Sequence, residues 1–408
     1  MRKKPKEKRK GEKKMNQLTL LEQTTTSSAP IQIIPGYLGN KAKIVNEIRK
    51  LAQSLVGDNP VVLDLFGGSN LVGYSLKDNF VVLSNDIQKY SFVIAKTLLE
   101  NIPPEIFAQL NEEKIFGKHY GENYNALVAN FSDVLTKERI ILRSKAAQEF
   151  RDFSAQTPNY SHIPKKIAKE FKSNINLFSE SNIEKYRQNK ERNPYSLFTL
   201  YFMNSYFGIE QCIEIDSIRY AIDKLSDSPL ENDREKLVYL SCLIFSLYTA
   251  VSSVGGHFAQ PQRLNGGKSV SKLMKKHSVS IKTIFTQKLH EIKDNLANAS
   301  PKNRAFNLEY QQLFDKLRHP EIQDVSVIYA DPPYTIDHYS RFYHILETVV
   351  NYDYPESIGI GRYRKDRTQS NFCIKSKVVY EFDQMLRLMS QTNASAIISY
   401  TDTYRALM

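Results

Sequence analysis

Apolar positions switch between two periods in the first ordered part of the chain. Lys41 to Leu55 carries Ile44, Val45, Ile48, Leu51 and Leu55 at helical spacing. Val61-Val62-Leu63-Asp64-Leu65-Phe66 then reads as a strand running into a glycine turn, and a helix follows from about Leu71. A second strand spans Phe80 to Leu83, Asn85-Asp86 closes it, and Ser91 to Leu99 is helical again. This βαβα order predicts a parallel sheet with right-handed crossovers. From about Ile102 to Ser300 the pattern changes. Lys/Glu-rich segments (Glu112 to Glu149, Pro164 to Arg192) alternate with the aromatic-rich Tyr195 to Phe207, and Arg234 to Ser252 is a strongly apolar helix whose residues read as core. Val254-Gly255-Gly256-His257-Phe258 and Asn265-Gly266-Gly267-Lys268 read as loops. The whole stretch is predicted to be a large, mainly helical insertion. Strands resume at Val325 to Tyr329 and Ala394 to Tyr400, and there are no internal repeats.

Composition narrows the class. The 408 residues are 41% hydrophobic and 25% charged, the profile of a soluble globular protein, and no apolar run approaches a membrane span. Cys212, Cys242 and Cys373 are far apart and form no CxxC pair, which implies a reducing compartment and no zinc site, hence a cytoplasmic location. The net charge is +12, but Met1 to Lys14 alone contributes +7. Together with the polar Thr24 to Ser28 stretch, this makes residues 1–30 a predicted disordered tail, and Met15 would serve equally as a start. The N-terminus lacks the apolar core of a secretory signal.

Three motifs carry chemistry. Asp64-Leu65-Phe66-Gly67-Gly68-Ser69-Asn70 joins a strand, a tight turn and a helix start, where a ligand can approach backbone closely and meet free N–H donors. Asp86, 22 residues after Asp64 and at the end of the next strand, stands where a carboxylate accepts ribose hydroxyls. Upstream, Tyr37-Leu38-Gly39-Asn40-Lys41 is a Gly-bearing loop opening a helix; Lys41 is either solvent-exposed or placed to meet a ligand carboxylate. Downstream, Asp331-Pro332-Pro333-Tyr334 follows the apolar run Val325 to Ala330. Two prolines can neither extend that strand nor open a helix, so a carboxylate, a rigid turn and an aromatic face collect at its carboxyl edge.

The order of these motifs, with Ser395-Ala396-Ile397-Ile398-Ser399-Tyr400 after them, resembles the Dam-like alpha group of adenine-N6 DNA methyltransferases over roughly 31–100 and 305–405. The resemblance implies an α/β fold: a Rossmann-like methyltransferase sheet in residues 31–101 and 301–408, with residues 102–300 as an inserted target-recognition region. It implies transfer of methyl from S-adenosylmethionine to N6 of adenine in double-stranded DNA by base flipping, in a restriction-modification system. Tyr37, Lys41, Asp64, Phe66, Gly68 and Asp86 would contact the cofactor, Tyr310 its adenine, and Asp331, Pro332, Pro333 and Tyr334 the target base. Asn70 replaces the family's final glycine; asparagine is the non-glycine residue that best tolerates positive φ, so the pocket is expected to survive.

The residue types suit that chemistry. The adenine amino group is a poor nucleophile because its lone pair is delocalised into the ring. Asp331 and the Pro332 carbonyl can accept its two N–H bonds, steering the nitrogen toward sp³ geometry. Tyr334 offers a face for the extruded base. Arg362, Arg364 and Arg367 form a basic loop that suits either solvent or DNA phosphates. His257 reads as a loop histidine.

Two other readings stand beside this one. A methyltransferase for RNA or cytosine N4 uses related turns, and a catalytically silent DNA-binding module would keep the fold. Only eight residues follow Tyr400, which suggests a chain that is truncated, split across two genes or completed by a partner polypeptide; a restriction-modification role would add a restriction endonuclease as partner.

Overall fold

The computed structural model describes Tyr37 and residues 41–400, apart from 59, 263, 265–266, 297–299, 323 and 334. The expected tail 1–30, the loop residues Leu38 to Asn40 and Asn265-Gly266, Tyr334, and the stretch after Tyr400 lie outside the described residues.

Five parallel strands form the central sheet: β1 (Val61–Asp64), β2 (Val81–Asn85), β3 (Arg304–Phe306), β4 (Val327–Ala330) and, after a short antiparallel hairpin of β5 (Ser357–Ile358) and β6 (Tyr363–Arg364), β7 (Ser395–Ile398). Their spatial order is β3-β2-β1-β4-β7. β1 and β4 are buried at every position, as a parallel strand covered on both faces requires, and this is why their sequences are continuous apolar runs rather than alternating ones. β1 pairs with β2 (Val61 with Val81 through Asp64 with Ser84) and with β4 (Val62 with Val327 through Asp64 with Tyr329). Chain order runs outward from β1 through β2 to β3, then reverses on the other side through β4 to β7. The switch point therefore lies between β1 and β4, where ligands bind in open α/β sheets.

The expected strands and flanking helices are present with boundaries shifted by a few residues: Val45–Leu55, Leu71–Leu76 and Lys89–Leu99 are helical. β3 has no counterpart in the hydropathy pattern. It is three residues long, and its first, Arg304, is exposed, so no run or alternation marks it.

Residues between Pro104 and Asn295 are helical in both α and 3-10 form. Ile209–Asp223 and Arg234–Ala250 are buried on nearly every face, the expected outcome for helices without a polar stripe. They also bond to the segments that flank the sheet. The Ser241 hydroxyl donates to Thr97 Oγ1 (2.8 Å) and Thr97 Oγ1 donates to the Leu237 carbonyl (3.1 Å), joining Arg234–Ala250 to Lys89–Leu99. Asp216 accepts bonds from the amides of Phe198 and Thr199 (both 2.8 Å) and from the Tyr352 hydroxyl (2.6 Å). Among the described residues no helix is long and apolar enough to cross a membrane.

Candidate active site

The turn after β1 is held by its neighbours. Gly67 N donates to the Asn85 carbonyl (2.8 Å) and Asn70 N to the Gly67 carbonyl (2.7 Å). Gly68 has φ +53°, a conformation that favours glycine, and a Cβ there would press on the Tyr37 hydroxyl at 3.1 Å. Asn70 takes φ 60°, ψ 20°, the left-handed conformation its substitution for glycine demanded. Its side chain does more than tolerate that geometry. Nδ2 donates to the Ser91 carbonyl (2.9 Å), and Oδ1 accepts from the Ser84 hydroxyl (2.7 Å), which ties the turn to β2 and to the helix Lys89–Leu99.

A cavity of about 360 Å³ opens over the switch point, within the range of small-molecule sites. From the predicted set, Tyr37, Lys41, Asp64, Phe66, Gly68, Asp86, Tyr310, Asp331 and Pro333 all line it. The buried Pro332 follows Asp331 in the turn. Asp86 is half-buried; its Oδ2 accepts Gly68 N and its Oδ1 accepts Gln88 N (both 2.8 Å). Burial raises its pKa, and these two amides partly offset that. Tyr37 is buried, stacked on Tyr343 (4.4 Å between centroids, 6°), and its hydroxyl pairs with that of Tyr90 at 2.9 Å.

The carboxylates at the floor depart most from ordinary behaviour. Asp64 is 1% exposed, with Oδ1 lacking any hydrogen-bond partner among the described residues. Burial, and then the nearby Asp331, push its pKa up to about 7. Burial also raises Asp331, opposed by Lys41, whose ammonium lies 2.5 Å from Asp331 Oδ2. Lys41 thus sits on the carboxylate of the β4 turn.

One wall is aromatic. Phe66, Tyr310 and Phe372 are mutual neighbours, 5.6 to 6.0 Å apart between centroids. The Tyr310 hydroxyl donates to Glu381 Oε1 (2.9 Å), and Glu381 also accepts from Gln311 (3.2 Å) and Asn371 (3.2 Å). Sequence reasoning did not find Phe372, Asn371 or Glu381. The available signal was a carboxylate on the apolar face of Val378–Ser390, where Glu381 lies between the buried Val378 and Phe382 and near Met385. Across the lining, Asp64, Asp86, Asp331, Glu309 and Glu381 face a single lysine, Lys41. This excess of carboxyl groups over cations in the lining suits a cationic occupant.

Two arginines of the basic loop are bound within the protein. Arg364 lies in β6 with its side chain 5% exposed, bound in a fork to Asp353 (2.6 and 2.7 Å) and to Asp366 (2.8 Å). Arg362 takes φ 53° and turns inward to donate to the Tyr201 carbonyl (2.5 Å); burial lowers its pKa to about 10. Arg367 is half-buried over the Tyr363 ring (5.7 Å). His257 packs edge-on to Phe342 (4.5 Å), and burial lowers its pKa.

Residues 37–405 match the model of the D12 class N6 adenine-specific DNA methyltransferases. The chain is similar to the modification methylase LlaI of Lactococcus lactis subsp. lactis (26% identity over 368 residues, 90% of this chain and 46% of the relative). It is also similar to the type II methyltransferase M.FokI of Planomicrobium okeanokoites (23% over 353 residues, 86% and 42%) and the modification methylase StsI of Streptococcus sanguinis (23% over 368 residues, 90% and 44%). The chain thus spans just under half the length of these relatives. No solved structure matches it. By a match covering nearly its whole length, the chain belongs to the D12 class of N6 adenine-specific DNA methyltransferases.

Proposed function

We propose that this chain transfers a methyl group from S-adenosylmethionine to N6 of adenine in duplex DNA, as the modification activity of a restriction-modification system. The observation that carries the reading is the meeting of two motifs, far apart in sequence, in one cavity: the β1 turn with Asp86, and Asp331 beyond β4. The relatives' names, modification methylase and type II methyltransferase, support the biological role.

The cavity suits this cofactor on charge and shape. When bound, S-adenosylmethionine supplies an electrophilic methyl on a positively charged sulfonium, and the acidic lining around Asp64 and Asp331 favours that charge. Phe66, Tyr310 and Phe372 would hold a flat heterocycle, and Asp86 a pair of ribose hydroxyls. Asp331 and the Pro332 carbonyl then accept the hydrogens of the target amine and aim its lone pair, so catalysis comes from positioning and electrostatics. Burial raises the pKa of Asp331, and the Lys41 ammonium opposes that rise and so favours the carboxylate form that accepts hydrogen bonds. The helices between 102 and 300 would contact the duplex and select the site, with Tyr334 stacking on the extruded base.

Labelled methyl transfer into unmodified duplex DNA tests the reading. Asp331→Ala should lower the rate by about 10³-fold or more while the protein still binds cofactor. A wild-type chain that binds cofactor yet labels no duplex would leave a DNA-binding module with a silent site. Sequencing of DNA from an expressing host for modified adenine identifies both base and recognition sequence.

A further inference from the structure

We propose that Arg341 and Arg367, both set against the ring of Tyr363, form a clamp for the DNA phosphates that flank the extruded nucleotide at the mouth of the cavity. This rests on the reading of duplex DNA as substrate and adds to it the residues that grip the backbone. The guanidinium of Arg341 lies 5.3 Å from the Tyr363 centroid and that of Arg367 lies 5.7 Å from it, and Arg341 Nε donates to the Tyr363 hydroxyl at 3.2 Å.

Both arginines adjoin residues that line the cavity. Arg341 belongs to the helix Tyr339–Phe342, whose Tyr339 and Ser340 line the cavity. Arg367 immediately precedes Thr368, which lines it too, and the Ser340 hydroxyl donates to the Thr368 carbonyl, tying the two segments together. The ring between them is fixed. Its hydroxyl bonds the Ala259 carbonyl, His344 packs edge-on at 5.1 Å, and a side chain at Gly361 would collide with it.

Neither guanidinium has a carboxylate partner among the described residues, in contrast to Arg364 one strand position away, which has two. Asp337 is within electrostatic reach of Arg341 but forms no ion pair with it. The loop that anchors Tyr363 adds no acid. Residues 236–290 contain eight Lys/Arg and no Asp or Glu, and within this stretch Phe258 N donates to the Phe342 carbonyl (2.9 Å) beside Arg341. Arg341 Nε is taken by the Tyr363 hydroxyl and Arg367 Nε is buried, so it is the terminal Nη groups that would meet an acceptor, and the planar guanidinium fork matches phosphate. Ordering both side chains before DNA arrives reduces the entropy that binding must overcome. Flipping rotates the backbone around one nucleotide, so a grip on its two phosphates is what that step requires.

The test is the salt dependence of binding to a fluorescently labelled generic duplex, read by anisotropy. Removing one phosphate contact lowers the slope of log K against log salt by about 0.9. Arg341→Ala and Arg367→Ala should each show that drop and the double variant about twice it, with S-adenosylmethionine affinity and thermal melting at wild-type values. Arg341→Lys should restore most of the slope. If the alanine double variant misfolds, Arg341→Gln with Arg367→Gln keeps side-chain bulk and removes the charge. A folded double variant with the wild-type slope overturns the clamp. So does an equal drop on Arg318→Ala, an exposed arginine paired with Asp315, since the effect would then be net charge alone. If the wild-type chain itself neither binds duplex nor methylates it, DNA as substrate fails, and the clamp with it.

Discussion

Asp64 is the residue at which stability and function oppose each other. Its carboxyl is buried, one oxygen is unpartnered, and its pKa stands at about 7 against an ordinary 3.8. The folded state therefore holds a proton there that the unfolded state gives up. Between pH 3.8 and about 7 stability falls as pH rises, and the penalty is complete above 7. Asp64→Asn should raise the melting temperature at pH 8, a gain of up to about 4 kcal/mol, with little effect at pH 4. The same substitution should weaken S-adenosylmethionine binding, because a cationic ligand favours the ionised carboxylate. In the wild type, affinity should tighten roughly tenfold from pH 6 to pH 8 and flatten in Asp64→Asn, measured by calorimetry. A pH-independent affinity in the wild type would remove Asp64 from the cofactor's electrostatics. At this scale the motif residues were legible because turn chemistry is local: Gly68 and Asn70 both adopt positive φ within a seven-residue stretch. The partner of Lys41 was not legible, since 290 positions separate it from Asp331 and only the fold brings them to 2.5 Å.

At the scale of elements, the hairpin β5–β6 shows how a charge pattern misleads. Gly361 to Arg367 reads as a basic loop, yet its central arginine is the pin that fastens β6 to Asp353. Removing a buried partner leaves an uncompensated charge, which costs about 3–5 kcal/mol. Asp353 retains some contact with solvent, so Arg364→Ala should cost nearer 3, measured by denaturant unfolding, with the salt slope of DNA binding unchanged. A large change in slope with unaltered stability would reverse the roles given to Arg364 and Arg367. Spacing carries no information about which acid lies across a turn, so all three arginines looked alike. The sheet itself was far more legible, because β1 and β4 bury both faces and must be apolar throughout. β3 escaped because three residues, one of them an exposed arginine, carry too little periodicity to register.

Across the whole molecule, the helical stretch is bonded through buried groups to the helices that flank the sheet. Asp216, fully buried on Ile209–Asp223, accepts two amides, the Thr199 hydroxyl (2.7 Å) and the hydroxyl of Tyr352, which follows the helix His344–Asn351 packed beside the catalytic layer. Arg219 of the same helix donates to the Val349 carbonyl (2.9 Å), and Arg234–Ala250 is bonded to Lys89–Leu99. These buried bonds join the two parts. It follows that the two parts should lose structure together. Asp216→Ala leaves several buried donors unsatisfied at about 1–3 kcal/mol each, a loss large enough to read. Native-state hydrogen exchange of that variant should show protection falling by the same factor in β1 and in the helix Ile209–Asp223, with one thermal transition. If the helix loses protection while β1 keeps that of the wild type, the helical stretch opens as its own unit and the two parts are not cooperative.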